Sequence, residues 1–269
     1  MPELPEMETY KQLLTEKTAG KKIGAVTVER EKSVNMPASL FSSELEGRTV
    51  TSYGRRGKHL LFFLDDGRLL ALHLMLGGWM FYGIPEEKPD RSTQVVLQFG
   101  DERLFFFGLR LGYLHLLTAE EAYERFSQLG PEPLDEIMTE QAFHDLISSK
   151  SGALKPKLVD QSVLAGIGNC YSDEICYHAG IRPDRSIQGM PDAAFSLLYR
   201  SMHEVFEEAI RYGGYMENPL YTGDKLTGGF NDRCRVYDRE GQPCLRCGHP
   251  IVKRMFNSRK LFYCANCQR

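Results

Sequence analysis

The sequence predicts an α+β protein of more than one domain. Three observations predict it. The first half is a succession of short apolar runs separated by tight turns; residues from about 138 to 213 carry apolar side chains at helical spacing; and the last 26 residues hold two Cys-x2-Cys pairs. A length of 269 residues suits two domains. The Gly130-Pro131-Glu132-Pro133 stretch breaks the pattern between them. The expected divisions are an N-terminal domain over 1–130, a linker over 131–137, a helical domain over 138–230 and a cysteine-bearing hairpin over 231–269.

The N-terminal domain opens on MPELPEMETY. One reading is a helix start, because proline is tolerated in a first turn and acidic side chains there suit the helix dipole. The other is chemical. Removal of Met1 would leave Pro2 as a terminal secondary amine. An α-amino group has a pKa of about 8 against about 10.4 for lysine, so it is far better supplied with the neutral form that attacks carbonyl carbon. Glu3 would stand beside it to exchange protons. While Met1 remains, the Pro2 nitrogen is an amide and has no such reactivity.

The runs KIGAVTV, TVTSY, HLLFFL, RLLALHL, QVVLQF, RLFFF and GYLHL follow, rich in β-branched, leucine and aromatic residues, with turns such as Asp65-Asp66-Gly67 between them. Many short strands joined by hairpins predict a β-sandwich or flattened barrel. In YGRRGKHLLFF a cluster of Arg55, Arg56 and Lys58 sits at a strand start. It reads either as charge guarding a sheet edge or as a lysine aimed at a phosphate or leaving oxygen.

In the second half, QAFHDLI, NCYSDEICYHAG and AAFSLLYRSMHEVFEEAI have helical periodicity. In LVDQSVLAGIGNCYSDEICYHAGI, two helices flank a turn containing Gly166-Ile167-Gly168, with Asn169 where an N-cap would stand. Such a helix start offers N–H groups to an anion. Residues 214–231 form a long Gly-rich loop, a feature usually tied to function or disorder.

Cys244-x2-Cys247, a sixteen-residue spacer and Cys264-x2-Cys267 make a four-thiolate set, the ligand pattern of one structural zinc ion. The spacer is of hairpin length, with a tip near Asn257-Ser258-Arg259-Lys260. Net charge is −3 overall, but residues 231–269 hold nine Lys and Arg against three Asp and Glu, so this segment is +6 and the remainder −9. A basic module on an acidic body is compatible with nucleic acid. No apolar run reaches the length of a membrane span, and the acidic N-terminus lacks the features of a signal peptide. The chain is therefore expected to be cytoplasmic and without a membrane partner; nucleoid association and a monomeric state are further expectations.

PELPE at the start, GRRGK, AGIGNCYSDE, and VYDREGQPCLRCG through FYCANCQ, in this order, resemble the formamidopyrimidine-DNA glycosylase and endonuclease VIII family of base-excision repair enzymes. The resemblance covers nearly the whole chain. It implies an N-terminal β-sandwich with flanking helices, a helix–two-turn–helix domain and a zinc-finger hairpin, with double-stranded DNA in a cleft. It implies that Pro2 attacks C1′ of a flipped, damaged or abasic nucleotide and that elimination then nicks the strand. By the same resemblance Glu3 is the acid and base, Glu6 a second carboxylate and Lys58 a catalytic or phosphate-holding lysine, while His73, Asn169 and Arg259 clasp phosphates. The family fills the vacated stack with a Met, an Arg and an aromatic. Here HLMLGG and FFFGLRLGY put Leu76, Leu109 and Leu111 at those positions in the simplest register, with Met75 or Arg110 entering on a shift of one. Leucines can wedge a stack apart but cannot hydrogen-bond a base. Two other readings remain: a lesion or structure binder without catalysis, and an endonuclease VIII-like enzyme for oxidised pyrimidines. A zinc-ribbon interaction module accounts only for the tail.

Overall fold

The computed structural model describes residues 1–269. The chain divides into two compact units, Met1–Gln128 with Tyr212–Gly229, and Leu129–Arg211 with Phe230–Arg269.

In the first unit, α1 (Leu4–Thr18) starts where the prolines allow it: Pro5 lies in the first turn and Glu3 is the N-cap, in a capping box with Glu6. Its inward stripe is Met7, Tyr10, Leu13 and Leu14. Two four-stranded antiparallel sheets follow. One runs β1 (Val26–Val28), β6 (Thr93–Phe99), β7 (Glu102–Phe107), β5 (Trp79–Gly83), and the other β2 (Val50–Arg56), β3 (His59–Leu64), β4 (Leu69–His73), β8 (Tyr113–Leu117).

Period-two alternation explains how they form a sandwich. Leu60, Phe62 and Leu64 of β3 join Leu104 and Phe106 of β7 in the main core. The residues between them turn outward to smaller clusters. Leu61 and Phe63 meet Ala122 and Phe126 of α3 (Ala119–Phe126), and Phe105 and Phe107 meet Trp79 and Phe81. The remaining helix of this unit, α2 (Ala38–Leu45), buries Phe41 and Leu45.

The sequence runs expected as strands correspond to seven of these eight. The strand they omit is β5, WMFYG, buried along its whole length. With both faces covered it shows no alternation, so its only sequence signal is a run of aromatics between glycines. The 212–229 segment, expected within the helical domain, clusters with the first unit. Leu220 enters the main core, Tyr10 Oη donates to Asn218 O at 3.1 Å, and Trp79 Nε1 donates to Pro219 O at 3.0 Å.

The second unit contains α4 (Glu140–Ser148), α5 (Leu154–Leu158), α6 (Asn169–His178), α7 (Asp192–Arg211) and a hairpin of β9 (Ile251–Phe256) and β10 (Arg259–Cys264). Helix α6 is buried over Cys170–Tyr177 and packs against α7 and β10. Only the short α5 precedes the glycine turn, and Gly168 is the N-cap, so Asn169 is the first helical residue rather than the cap. No helix is long and apolar enough to cross a membrane.

Candidate active site and zinc hairpin

At the head of α1, Pro2, Glu3 and Glu6 are all buried. The capping box turns the Glu6 side chain back along the helix, where its Oε2 accepts from Glu3 N at 2.7 Å. Its other oxygen accepts from Tyr215 N at 2.8 Å. A Cβ on Gly214 (φ +73°) would collide with that carboxylate, so the 212–229 segment can approach it this closely only through glycine. Tyr215 Oη also donates to Met1 O at 3.2 Å. Tyr215 is a residue of this site that sequence reasoning did not single out, since its position depends on a contact over about two hundred residues of chain.

Lys58 lies in the two-residue Gly57-Lys58 turn of the β2–β3 hairpin, whose last rung pairs Arg56 with His59. The arginines expected before the strand belong to the end of β2. The lysine is 6% exposed, so it does not act as a solvated charge on a sheet edge. Its ammonium is felt at His73, the last residue of β4. Burial, with the Lys58 charge adding to it, lowers the imidazole pKa to about 4. His73 is therefore neutral at neutral pH. Its ring lies 4.3 Å from that of His59, which burial and His73 hold at about 3.

Two loops of this unit meet backbone to backbone. Gly108 has φ +68°, and a Cβ there would overlap the Gly77 carbonyl. Arg91 Nη2 donates to the same carbonyl at 3.2 Å. The joined loops present Leu76, 70% exposed, and Leu111, 66% exposed, with Arg110 exposed between Leu111 and Leu109. Leu109 corrects the simplest register. It is 0% exposed and belongs to the main core, and its N–H donates to Gln94 Oε1 at 3.1 Å. Its side chain is committed to packing.

In the second unit, one buried lysine ties the glycine turn to the hairpin. Lys155 Nζ donates to Asp173 Oδ2 at 2.7 Å, to Lys260 O at 2.7 Å and to Asn169 O at 3.3 Å. Asp173 Oδ2 also accepts from Phe262 N at 3.0 Å. The start of α6 and the strand that begins with Arg259 are thereby held by one ammonium. Asn257 and Ser258 both have positive φ, the requirement of a type I′ hairpin turn, and Arg259 and Lys260 are exposed just beyond it.

The four cysteines converge, with all four sulfurs within 4.8 Å of one another. Cys244 Sγ lies 3.8 Å from Cys267 Sγ, and Cys247 Sγ lies 3.5 Å from Cys264 Sγ. Zn–S bonds of about 2.3 Å in a tetrahedron put sulfurs about 3.8 Å apart, so the set fits one structural zinc ion. Arg246 N donates to Cys244 Sγ at 3.4 Å, and Tyr177 Oη lies 3.3 Å from it, as donors suited to a thiolate. The neighbouring core is small, built around Tyr177, Val236, Ile251 and Phe262, so metal binding supplies folding energy that packing does not.

A β-sandwich with a carboxylate-rich N-terminal helix, a glycine turn opening a buried helix, and a basic zinc hairpin define the architecture of a DNA-repair glycosylase. The chain belongs to the formamidopyrimidine-DNA glycosylase family. Residues 1–113 match the formamidopyrimidine-DNA glycosylase N-terminal domain, residues 129–218 its H2TH domain, and residues 241–269 the zinc finger found in FPG and IleRS. The chain is 36% identical to the formamidopyrimidine-DNA glycosylase of Roseiflexus sp. over 275 residues, covering 100% of both chains. It is 33% identical to that of Pelotomaculum thermopropionicum, covering 100% of this chain and 99% of the relative. Among solved structures it is similar to Lactococcus lactis Fpg in complex with abasic-site DNA, with a TM-score of 0.92, 29% identity and 99% of each chain covered. It is likewise similar to wild-type L. lactis Fpg in complex with DNA containing N7-benzyl-Fapy-dG, with a TM-score of 0.91, 29% identity and full coverage of both chains.

Proposed function

We propose that this chain is a bifunctional DNA glycosylase and AP lyase of base excision repair, acting on double-stranded DNA that carries oxidised or abasic nucleotides. The observation that carries the reading is the head of α1, where Pro2 lies next to a buried Glu3 and Glu6 is held by backbone donors, in a chain of this family. Once Met1 is removed, the Pro2 nitrogen attacks C1′ of an extruded nucleotide. The N–C1′ bond forms as the bond to the base breaks, and the base departs with that electron pair and a proton. The attached nitrogen gives up its N–H proton, its lone pair then opens the sugar ring as O4′ takes a proton, and an iminium results. The iminium acidifies the C2′ proton. Its removal expels the 3′ phosphate, and a second elimination expels the 5′ phosphate. Glu3 is the group placed to give and take these protons.

Lys58 and the neutral His73 serve phosphates in the first unit, and Asn169 and Arg259 serve them in the second. The work of zinc is structural: it holds the hairpin that carries Arg259. Leu76 and Leu111 would enter the vacated stack as apolar wedges, with Arg110 beside them for the backbone. Because Leu109 is interior, no side chain at that position reads the opposite base. A lesion panel against all four opposite bases would register this. Such a substrate supports a cytoplasmic location, associated with the nucleoid.

Borohydride trapping on an abasic duplex, with intact-mass analysis of the N-terminus, tests the reading. The expected result is a covalent adduct from protein that begins at Pro2 and none from Pro2→Gly. Tight duplex binding without any adduct would favour a lesion binder instead.

A further inference from the structure

The catalytic reading leaves a part-buried ion pair of the first unit unused. Arg55 is the penultimate residue of β2, and its side chain is 6% exposed. Its Nε donates to Glu8 Oε1 at 2.8 Å and its Nη1 to Gly57 O at 3.0 Å. Glu8 lies on α1, five residues beyond Glu3, and its other oxygen is 2.6 Å from Lys11 Nζ. Burial would raise the Glu8 carboxyl, but the charges of Arg55 and Lys11 bring it below the usual carboxylate range, so the pair is ionic at neutral pH. Gly57 and Lys58 form the hairpin turn, and the Gly57 carbonyl is the acceptor immediately before Lys58.

A two-residue turn at the end of a ladder is fixed by its strands only on one side. Here a planar guanidinium ties its carbonyl to a carboxylate on the helix that begins at the reactive terminus. We propose that Arg55 and Glu8 are positioning residues: the brace Glu8–Arg55–Gly57 sets the Lys58 ammonium relative to the head of α1. The inference rests on the proposed role of Lys58, and it adds two residues whose effect is exerted only through that lysine. An arginine suits the task because its N–H directions are rigidly related, which a lysine cannot reproduce.

The experiment measures single-turnover cleavage of an abasic duplex and of an oxidised-base duplex by wild type, Arg55→Met, Arg55→Lys, Glu8→Gln, Lys58→Met and Arg55→Met/Lys58→Met, with duplex Kd and Tm for each. Displacing a catalytic group by a fraction of an ångström to one ångström costs up to about 100-fold. Arg55→Met is expected to lose about 10- to 100-fold in rate with Kd changed by less than about threefold, and Arg55→Lys to recover little of the loss. The decisive reading is the cycle: in the Lys58→Met background, Arg55→Met should cost almost nothing further, since the residues act in series. A full additional loss in that background would overturn the brace, as would an unchanged rate in both Arg55→Met and Glu8→Gln. If Arg55→Met melts early, Glu8→Gln removes one leg and is expected to show the same dependence on Lys58 at smaller amplitude. A wild type that cleaves while the cycle is additive sinks the brace alone. A wild type that forms no borohydride adduct sinks the catalytic reading and the brace with it.

Discussion

Two helices in this molecule carry buried acidic pairs, α1 at its start and α6 in its middle, and they use them differently. At α1 the pair is Glu3 and Glu6, and at α6 it is Asp173 and Glu174. Glu174 accepts from three successive backbone donors, Arg235 N at 2.8 Å, Val236 N at 2.9 Å and Tyr237 N at 2.8 Å. Asp173 takes Phe262 N and the Lys155 ammonium. Both carboxylates of α6 are spent on clamping the basic tail, which has little apolar core of its own. At α1 Glu6 reaches a distant segment through Tyr215 N, while the Glu3 carboxyl caps its own helix and stands beside Pro2. In linear sequence, PELPE and YSDEI look like comparable acidic stretches. What separates them is which backbone donors the tertiary fold brings to each, because a buried carboxylate is stable only where donors or cations meet it.

The comparison can be broken most severely at the metal. If the tail depends on zinc as well as on the α6 clamps, Cys264→Ser should lower duplex affinity by about 100-fold or more through loss of the folded hairpin. Titration binding and metal content measure this, and a metal-replete, tightly binding variant would refute it. The two pairs themselves are contrasted by Glu3→Gln and Lys155→Met. The first should lower the cleavage rate by about 10²- to 10⁴-fold with an unfolding free energy within about 1 kcal/mol of wild type. The second leaves Asp173 buried without its cation and should cost about 3–5 kcal/mol in denaturant unfolding. Equal stability losses in the two would erase the distinction.

Within the first unit, Leu109→Ala should cost about 2–5 kcal/mol as a core truncation. Leu111→Ala should cost under about 0.5 kcal/mol in stability and should instead slow base release. A further effect is with pH. His59, His73 and His115 are held neutral, at about 3, 4 and 4, chiefly by burial. An unfolded histidine binds its proton near a pH of about 6.5. Below that the unfolded state takes up protons that the native state refuses, so stability falls as pH drops from about 6.5 toward 4. Tm measured across that window should decline, and His59→Phe should flatten the decline.

The sequence by itself determined whatever depends on local spacing. The zinc set was legible because two Cys-x2-Cys pairs and a hairpin-length spacer have few other uses in a small module. The sandwich was legible because short runs rich in leucine, β-branched and aromatic residues, such as HLLFFL and RLFFF, recur between turn signals. The helix start at PELPE was legible from proline and glutamate chemistry. Tertiary structure alone decided the rest. It buried Leu109 while exposing Leu76 and Leu111, since a one-residue choice of facing in a glycine loop is set by the backbone it packs against. It drew 212–229 to the first unit through Leu220 and placed Tyr215 on Glu6. It gave Lys155, Asp173 and Glu174 structural work that no spacing announces. The physical reason is common to all three: these outcomes are fixed by contacts between residues far apart in the chain, and local sequence carries no record of which partners the fold will supply.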